Sequence, residues 1–324
     1  MRAWLHRAVV TIALCGAPPG MQAAWGQASS AEPIRALPDN AGGDPARIAL
    51  GRRLFYDTRL SRDGRMSCAS CHDLKRGGVD HKALSAGFGG KLNQYNTPSV
   101  YNSALNFRQS WTGREATLEE RLDHIIEGPA TFASDWRTVL AALAADKALT
   151  AQFREVYDEQ PREAYIKDAL AQFLRSLITP SRFDRYLRGD ANAITAEEKA
   201  GYAKFKAYGC VACHQGINVG GNMYQKIGVM RELPGLAPAG ADLGRFQLTA
   251  READRYVFRV PSLRNVALTA PYFHNGAVDT LDEAVDAMFK FQLGRNASAQ
   301  DKELIVRFLH TLSGEHLPPP GAQP

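Results

Sequence analysis

One five-residue pattern occurs twice in the chain and constrains its fold more than any other feature. It reads Cys-Ala-Ser-Cys-His at residues 68–72, the first haem motif, and Cys-Val-Ala-Cys-His at residues 210–214, the second haem motif. This spacing is typical of covalent c-type haem attachment, in which two thiols bond to the porphyrin and the histidine ligates the iron. Two haem c groups are therefore predicted. The residues that hold them are Cys68, Cys71 and His72 in the first motif and Cys210, Cys213 and His214 in the second.

A single motif of this kind has two other interpretations, half of a zinc site or a redox-active pair of thiols. Zinc sites do use pairs of cysteines with this spacing, but a histidine directly after both pairs is not their usual layout. The double occurrence favours the dihaem interpretation.

The first 28 residues have the features of a secretory signal peptide. Arg2 and Arg7 supply the positive start, residues 8–17 form a short apolar run, and small residues at 26–28 offer a cleavage site. The apolar run is shorter than the about 20 residues that cross a bilayer, and we find no other candidate span. The mature protein is therefore expected in the periplasm, without a membrane span.

Cysteine use agrees with this interpretation. The chain has five cysteines, and only Cys15 lies outside the haem motifs, within the predicted signal. A lipoprotein would use Cys15 as its lipidated residue, but the bulky Leu14 stands where a small residue is expected. Once the predicted signal and Cys15 are removed, the mature chain keeps no cysteine for a disulfide.

The charge of the chain is mild, with a formal net charge of +5. No basic run with interleaved aromatic residues is present, so nothing indicates nucleic-acid binding. A weakly positive surface suits a protein that meets small electron-donor proteins.

Hydrophobic periodicity predicts an all-α fold, because alternating strand patterns are scarce. Helices are expected at residues 135–145 and 164–177, at 195–208, and after the capping residues Thr280 and Ser298. One haem motif in each half predicts two cytochrome c-like domains packed against each other. Their predicted bounds are 29–189 for the N-terminal domain and 190–316 for the C-terminal domain, with a flexible tail at 317–324.

The second axial ligand decides whether a c-type haem binds substrate or mainly transfers electrons. Of the four methionines after the predicted signal, Met288 is the best placed candidate, because it lies about two turns into a helix downstream of the second haem motif. A buried methionine on a helix is also an ordinary core residue, so position alone leaves both interpretations open.

Several further stretches resemble those of bacterial dihaem cytochrome c peroxidases and their MauG-type relatives. They include Leu-Gly-Arg-Arg-Leu-Phe-Tyr-Asp before the first haem motif and Trp-Thr-Gly-Arg at residues 111–114. The longest is Thr-Ala-Pro-Tyr-Phe-His-Asn-Gly at residues 269–276, which follows Val-Pro-Ser-Leu-Arg-Asn-Val at 260–266. The resemblance covers nearly all of the mature chain.

The resemblance implies roles for particular residues. Met288 falls on the distal methionine of the C-terminal haem, where MauG-type enzymes have tyrosine, and Trp111 falls on the aromatic residue between the haems. Asn96, Thr269 and Pro271 match positions that bind calcium between the domains, through one side-chain oxygen and backbone carbonyls. Family members often form homodimers when calcium is bound, so a homodimer is also expected.

Two positions depart from the family pattern. Phe88 stands where the activated peroxidases have a removable distal histidine on the first-haem loop, and phenylalanine cannot bind iron. His81 is the nearest substitute. The first iron is therefore expected to be open without reductive activation.

Thr131 stands where the family has its catalytic glutamate. A peroxidase must move a proton between the two oxygens of peroxide, which is work for a carboxylate or an imidazole, and threonine is a poor proton carrier. Asp135, Glu127 and His124 are the nearest residues that could replace it.

The function implied by the resemblance is reduction of hydrogen peroxide to water. Electrons would come from a small cytochrome c or cupredoxin, enter at the C-terminal haem and pass by Trp111 to the N-terminal haem. Two alternatives remain: a MauG-like enzyme that oxidises a protein or small molecule at a distance, which Met288 disfavours, and a dihaem electron carrier. Phe88 and Thr131 favour the carrier, whereas an open first iron disfavours it.

Overall fold

The computed structural model describes residues 32–232 and 242–317. The predicted signal peptide, Cys15 and all but the first residue of the predicted tail lie outside the described residues. Within them, helices are joined by long loops, and the strands Tyr224–Lys226 and Val257–Arg259 pair in an antiparallel two-stranded sheet. The prediction of a helix-rich fold with little β structure is confirmed.

The described residues contain the five helices that the sequence predicts and five further α-helices. The α-helices of the described residues are α1 (Pro45–Phe55), α2 (Leu118–Glu127), α3 (Trp136–Ala144), α4 (Lys147–Tyr157), α5 (Glu163–Ser176), α6 (Arg182–Leu187), α7 (Ala196–Ala207), α8 (Phe246–Thr249), α9 (Leu281–Ala287) and α10 (Ala299–His310). A π-helical segment, Met288–Leu293, continues α9. In the described ranges, no helix is both long enough and apolar enough to cross a membrane.

Side-chain caps explain where several helices begin. Asp135 accepts a hydrogen bond from the Thr138 amide at the start of α3. Thr195 and Glu198 cap each other's backbone amides at the start of α7, and Thr280 does the same with Glu283 at α9. Each cap satisfies amide groups that the first helical turn leaves without a partner, so local sequence alone predicts these starts.

Buried side chains form two main hydrophobic clusters, one in each half of the chain. The N-terminal cluster contains apolar residues of α1, α2, α3, α4 and α5, and the C-terminal cluster contains those of α6, α7, α9 and α10. In each half, the helix that precedes the haem motif crosses a later helix at a glycine. A Cβ at Gly51 of α1 would lie 1.9 Å from the Ala169 carbonyl oxygen, and one at Gly201 of α7 would lie 1.9 Å from the Leu304 carbonyl oxygen. The two halves therefore share a packing plan, while the domain boundary near residue 189 stays a prediction.

A fully buried ion pair ties several segments of the C-terminal half together. Asp184 Oδ2 lies 2.7 Å from a guanidinium nitrogen of Arg264, and neither side chain is exposed. Asp184 Oδ1 accepts a hydrogen bond from the Leu37 amide, and Arg264 also donates to the carbonyls of Ile217 and Arg35. Because both charges are surrounded by partners, the pair fixes the segment before α1 against α6 and the loop after the second haem motif.

Removing one charge of this pair should destabilise the protein strongly. Asp184→Asn leaves the Arg264 guanidinium buried without a counter-charge, so we expect the free energy of unfolding to fall by about 3–5 kcal/mol. Denaturant titration followed by circular dichroism measures it. Asp190→Asn, which alters an exposed carboxylate paired with Arg185, is the matched control and should leave the midpoint unchanged. Equal midpoints for both variants would contradict the assigned role.

Candidate haem sites

Both haem motifs fold into the same short helical turn. The turns are Cys68–Ser70 and Cys210–Ala212, and in each the histidine amide donates to the carbonyl of the first cysteine at 3.0 Å. Residues three apart lie on one face of a helical turn, so each pair of thiols shares a face and the histidine follows directly. This local geometry explains why the spacing, and not only the residue types, is needed for thioether attachment.

His72 has the hydrogen bond that a metal-binding histidine needs. Its Nδ1 lies 3.1 Å from the carbonyl oxygen of Gly78. A proton on Nδ1 that points to this carbonyl leaves the lone pair on Nε2, the atom that binds a metal. Burial lowers the pKa of His72 to about 4, so the imidazole is neutral at pH 7. The residue therefore fits an iron ligand.

His214 is buried in the same way but lacks an equivalent partner. Burial lowers the pKa of His214 to about 4, whereas the nearby carbonyls of Val219 and Pro261 raise it. Its Nδ1 makes no hydrogen bond of normal geometry. His214 lines a cavity of about 270 Å³, whose walls also include Cys210, Cys213 and Met288. The structure thus brings all four predicted ligating and attachment residues of the C-terminal haem to one cavity.

Met288 lies where regular α-helix ends. It follows α9 and begins the π-helical segment Met288–Leu293. Such segments are rare and are frequently found at functional sites. The sequence places Met288 on a helix, but it does not indicate this change of helix type.

The motif cysteines lie in apolar surroundings. Burial raises the pKa of the Cys68 thiol to about 12 and that of Cys210 to about 11. Such a site disfavours a thiolate, whereas the neutral sulfur of a thioether places no charge in it. Among the described residues, no group of three or more histidine, cysteine, aspartate or glutamate side chains is placed to hold a metal ion.

A buried arginine in the C-terminal cavity indicates what else that cavity accommodates. Arg259 is 4% exposed and donates to the Ser110 carbonyl at 3.0 Å and to Asn106 Oδ1 at 3.1 Å. Both partners are neutral, no carboxylate of the described residues pairs with the guanidinium, and burial lowers the pKa of Arg259 to about 10. A buried cation without an anion is costly, so the cavity fits a cofactor that carries carboxylates, as haem does.

Trp111 also lines this cavity and connects the two halves of the chain. Its indole nitrogen donates to the Asn96 carbonyl at 2.8 Å, and its own carbonyl accepts from the Arg259 amide at 2.8 Å. An indole whose N–H is hydrogen-bonded and which lies in a cavity wall is compatible with both a structural role and electron transfer.

The three residues expected to bind calcium, Asn96, Thr269 and Pro271, line the cavity that Trp111 also lines. The Asn96 amide nitrogen donates to the Lys82 carbonyl at 2.9 Å, and no described residue donates a hydrogen bond to Oδ1. The free oxygen is of the kind that calcium prefers.

The two departures from the family pattern lie side by side. The Phe88 amide donates to the Thr131 carbonyl at 2.8 Å. The Thr131 hydroxyl lies 2.7 Å from the Ile125 carbonyl and 2.9 Å from the Gly128 carbonyl, so its proton is used at the end of α2. Thr131 therefore stabilises the loop after α2, and its hydroxyl is not a free proton carrier.

The loop that carries Phe88 lies next to the first haem motif. Burial and the charge of Asp80 raise the pKa of the Cys71 thiol, whereas a hydrogen bond with the Ser85 side chain lowers it. The Phe88 amide binds the Thr131 carbonyl, so this loop is fixed against the loop that follows α2.

The residues that could replace the missing distal histidine or the missing glutamate have other surroundings. His81 Nδ1 lies 2.9 Å from the Ala270 carbonyl and Nε2 lies 3.0 Å from the Arg76 carbonyl, so neither nitrogen is available to iron. Asp135 caps α3, and Glu127 is exposed. Of the three candidates for the missing glutamate, only His124 contacts a buried acid.

That acid, Glu115, is a residue that sequence reasoning missed. It is 2% exposed, and its Oε1 lies 3.3 Å from an Arg121 guanidinium nitrogen and 3.4 Å from His124 Nδ1. Its Oε2 is buried without a hydrogen-bond partner. Glu115 precedes α2 and belongs to no periodic pattern, so only the three-dimensional structure reveals its burial.

Comparisons with known proteins agree with these sites. The model of the di-haem cytochrome c peroxidase family matches residues 45–192. Cytochrome c peroxidase Ccp of Escherichia coli K12 is 44% identical over 289 residues, which cover 89% of this chain and 62% of that protein. Cytochrome c551 peroxidase of Nitrosomonas europaea is 42% identical over 287 residues, which cover 88% of this chain and 84% of that protein. The chain therefore spans less than two thirds of the Escherichia coli protein.

A solved structure shows the same architecture. A MauG-like protein associated with microbial copper homeostasis matches with a TM-score of 0.76 and 28% sequence identity, over 90% of this chain and 95% of that one.

Replacing the buried arginine should change the redox potential of the C-terminal haem. Arg259→Gln removes a positive charge from the cavity wall, which disfavours the reduced iron, so we expect its midpoint potential to fall by tens of millivolts. Spectroelectrochemical titration measures this potential. Arg307→Gln, at an exposed position on α10, should leave the potential unchanged. The interpretation of the cavity is wrong if Arg259→Gln also leaves it unchanged while both haems are retained.

Proposed function

Because the chain belongs to the di-haem cytochrome c peroxidase family, we propose that it reduces hydrogen peroxide to water in the periplasm. Its electron donor is a small cytochrome c or cupredoxin. The N-terminal haem, attached through Cys68 and Cys71 with His72 as proximal ligand, is the peroxide site. The C-terminal haem, attached through Cys210 and Cys213, is the electron-entry site.

The observation that carries this proposal is the difference between the two sites. His214 and Met288 line one cavity, so both would be available to hold the second haem. At the first site, position 88 is phenylalanine, and both ring nitrogens of His81 face backbone carbonyls. An iron with one protein ligand can bind a small molecule, whereas one with histidine and methionine has a raised potential and transfers electrons.

When bound, the haems supply irons that accept electrons one at a time and coordinate peroxide. The protein residues position them. His72 is oriented by the Gly78 carbonyl, and burial lowers its pKa to about 4. Arg259 offers a counter-charge to the carboxylates of the second haem. Trp111 is the residue through which electrons pass between the halves, supported by its place in the cavity wall and its hydrogen bond to Asn96.

Calcium and a second copy of the chain complete the proposal. The free Oδ1 of Asn96, together with the carbonyls of Thr269 and Pro271, is the set of oxygens that would bind the cation. Because all three residues lie in the cavity wall near Trp111, calcium would stabilise the contact between the halves and a homodimer built on it.

Met288 favours a peroxidase over a MauG-like enzyme, in which tyrosine takes this position. The open first site favours a peroxidase over an electron carrier, since carriers usually fill both axial positions. The missing glutamate at position 131 is the argument for the carrier, and it requires a different acid.

Turnover distinguishes these functions directly. We expect the dihaem protein to oxidise a reduced small cytochrome c rapidly when hydrogen peroxide is added, with two donor molecules oxidised per peroxide. Stopped-flow absorbance of the donor measures both quantities. Protein prepared without haem is the control. A protein that binds two haems, accepts electrons from the donor and leaves peroxide intact would be a carrier, and the proposal would be wrong.

A further inference from the structure

Peroxide reduction needs a group that exchanges protons at the first site. One hydrogen peroxide, two electrons from the donor and two protons give two molecules of water. As the O–O bond breaks, a proton must leave one oxygen and reach the other, which then departs as water. Thr131 cannot do this, because its hydroxyl proton is bound to the carbonyls at the end of α2.

Glu115 has the properties of such a group. Its carboxylate is almost completely buried, and the contacts with Arg121 and His124 both go to Oε1. Oε2 is left buried with no hydrogen-bond donor, although a carboxylate oxygen in that position normally has one. A buried carboxylate oxygen without a hydrogen-bond donor lowers the stability of the fold. A catalytic role is one reason why a protein keeps such a group.

The position of Glu115 connects it to the first haem motif. Leu118 and Leu122 of α2 belong to the N-terminal cluster, against which Cys68 also packs. Arg121, whose guanidinium holds Glu115, lies on the same helix as these two leucines. The loop after α2 carries Thr131, whose carbonyl binds the Phe88 amide beside the same motif.

His124 connects the buried carboxylate to solvent. Its side chain is 47% exposed, and Nδ1 faces Glu115 Oε1 at 3.4 Å. Arg121 and His124, both on α2, are the charged groups in contact with Glu115 among the described residues. The three side chains therefore form a short path from the surface to a buried carboxylate, with a histidine at its outer end.

We propose that Glu115 exchanges protons with peroxide at the first haem site, in place of the family glutamate that is Thr131 here. The inference rests on the proposed function. Its carboxylate accepts the proton of one peroxide oxygen and returns it to the other, which leaves as water. His124 replaces the net protons from solvent, and Arg121 is a positioning residue that keeps the carboxylate in place.

The test compares two glutamates on either side of the start of α2. Glu115→Gln keeps the size and an oxygen for Arg121 but removes the proton-accepting carboxylate. Glu119→Gln, the control, changes a partly exposed carboxylate that pairs with Arg175. Two rates are measured by stopped flow on protein with both haems: the reaction with peroxide and the binding of cyanide. Cyanide is present as neutral hydrogen cyanide at pH 7 and must lose its proton to bind iron, so its rate reports proton acceptance without turnover.

We expect Glu115→Gln to slow the peroxide reaction about 100-fold and cyanide binding at least about tenfold, with Glu119→Gln equal to the wild type. Glu115→Asp should recover part of both rates, and Glu115→Gln combined with Thr131→Glu should recover most of the peroxide rate. Wild-type rates in Glu115→Gln would overturn the inference. If Glu115→Gln does not accumulate with two haems, Glu115→Asp decides, because wild-type rates in that variant would also overturn it.

The two proposals fail in different ways. If the wild type does not consume peroxide, the peroxidase function is wrong, and cyanide binding still tests Glu115. If the wild type consumes peroxide and cyanide binding is the same in Glu115→Gln and the wild type, the function stands and the role of Glu115 is wrong.

Discussion

Each haem motif folds as a short helical turn, and the core of its half of the chain is arranged around that turn. The turn places two thiols on one face and a histidine directly after them, so each half of the chain must surround a large apolar cofactor at that point. The helix before each motif packs against a later helix at a glycine, Gly51 or Gly201, where the backbones are in close contact. Each half thus builds its core around the same motif.

Function arises from what differs between the halves. The second site combines His214, Met288 and a buried arginine in one cavity, which favours a closed iron of high potential. The first site has no side chain at position 88 that can bind iron, and His81 is held by two carbonyls. The buried ion pair of Asp184 and Arg264 and the hydrogen bond of Trp111 to Asn96 hold the segments around these sites in register.

Much of this could be predicted from the sequence because its causes are local. Capping residues such as Thr195 and Thr280 fix helix starts, and the spacing of the haem motifs fixes the attachment residues. Contacts between distant residues could not be predicted. Glu115 lies in no pattern, and the pairing of Phe88 with Thr131 joins loops 43 residues apart. The contact of His81 with the Ala270 carbonyl connects the two halves. Each depends on the packing of α2 and of the loops after the haem motifs.

The central claim is that one iron is open and the other is closed. Electron paramagnetic resonance of the fully oxidised protein tests it most directly, because an iron with a single protein ligand and one with histidine and methionine give different spin states. We expect one high-spin and one low-spin signal in equal amounts, each from one haem. Two low-spin signals in the oxidised protein would mean that a protein side chain closes the first iron, so peroxide could not bind there.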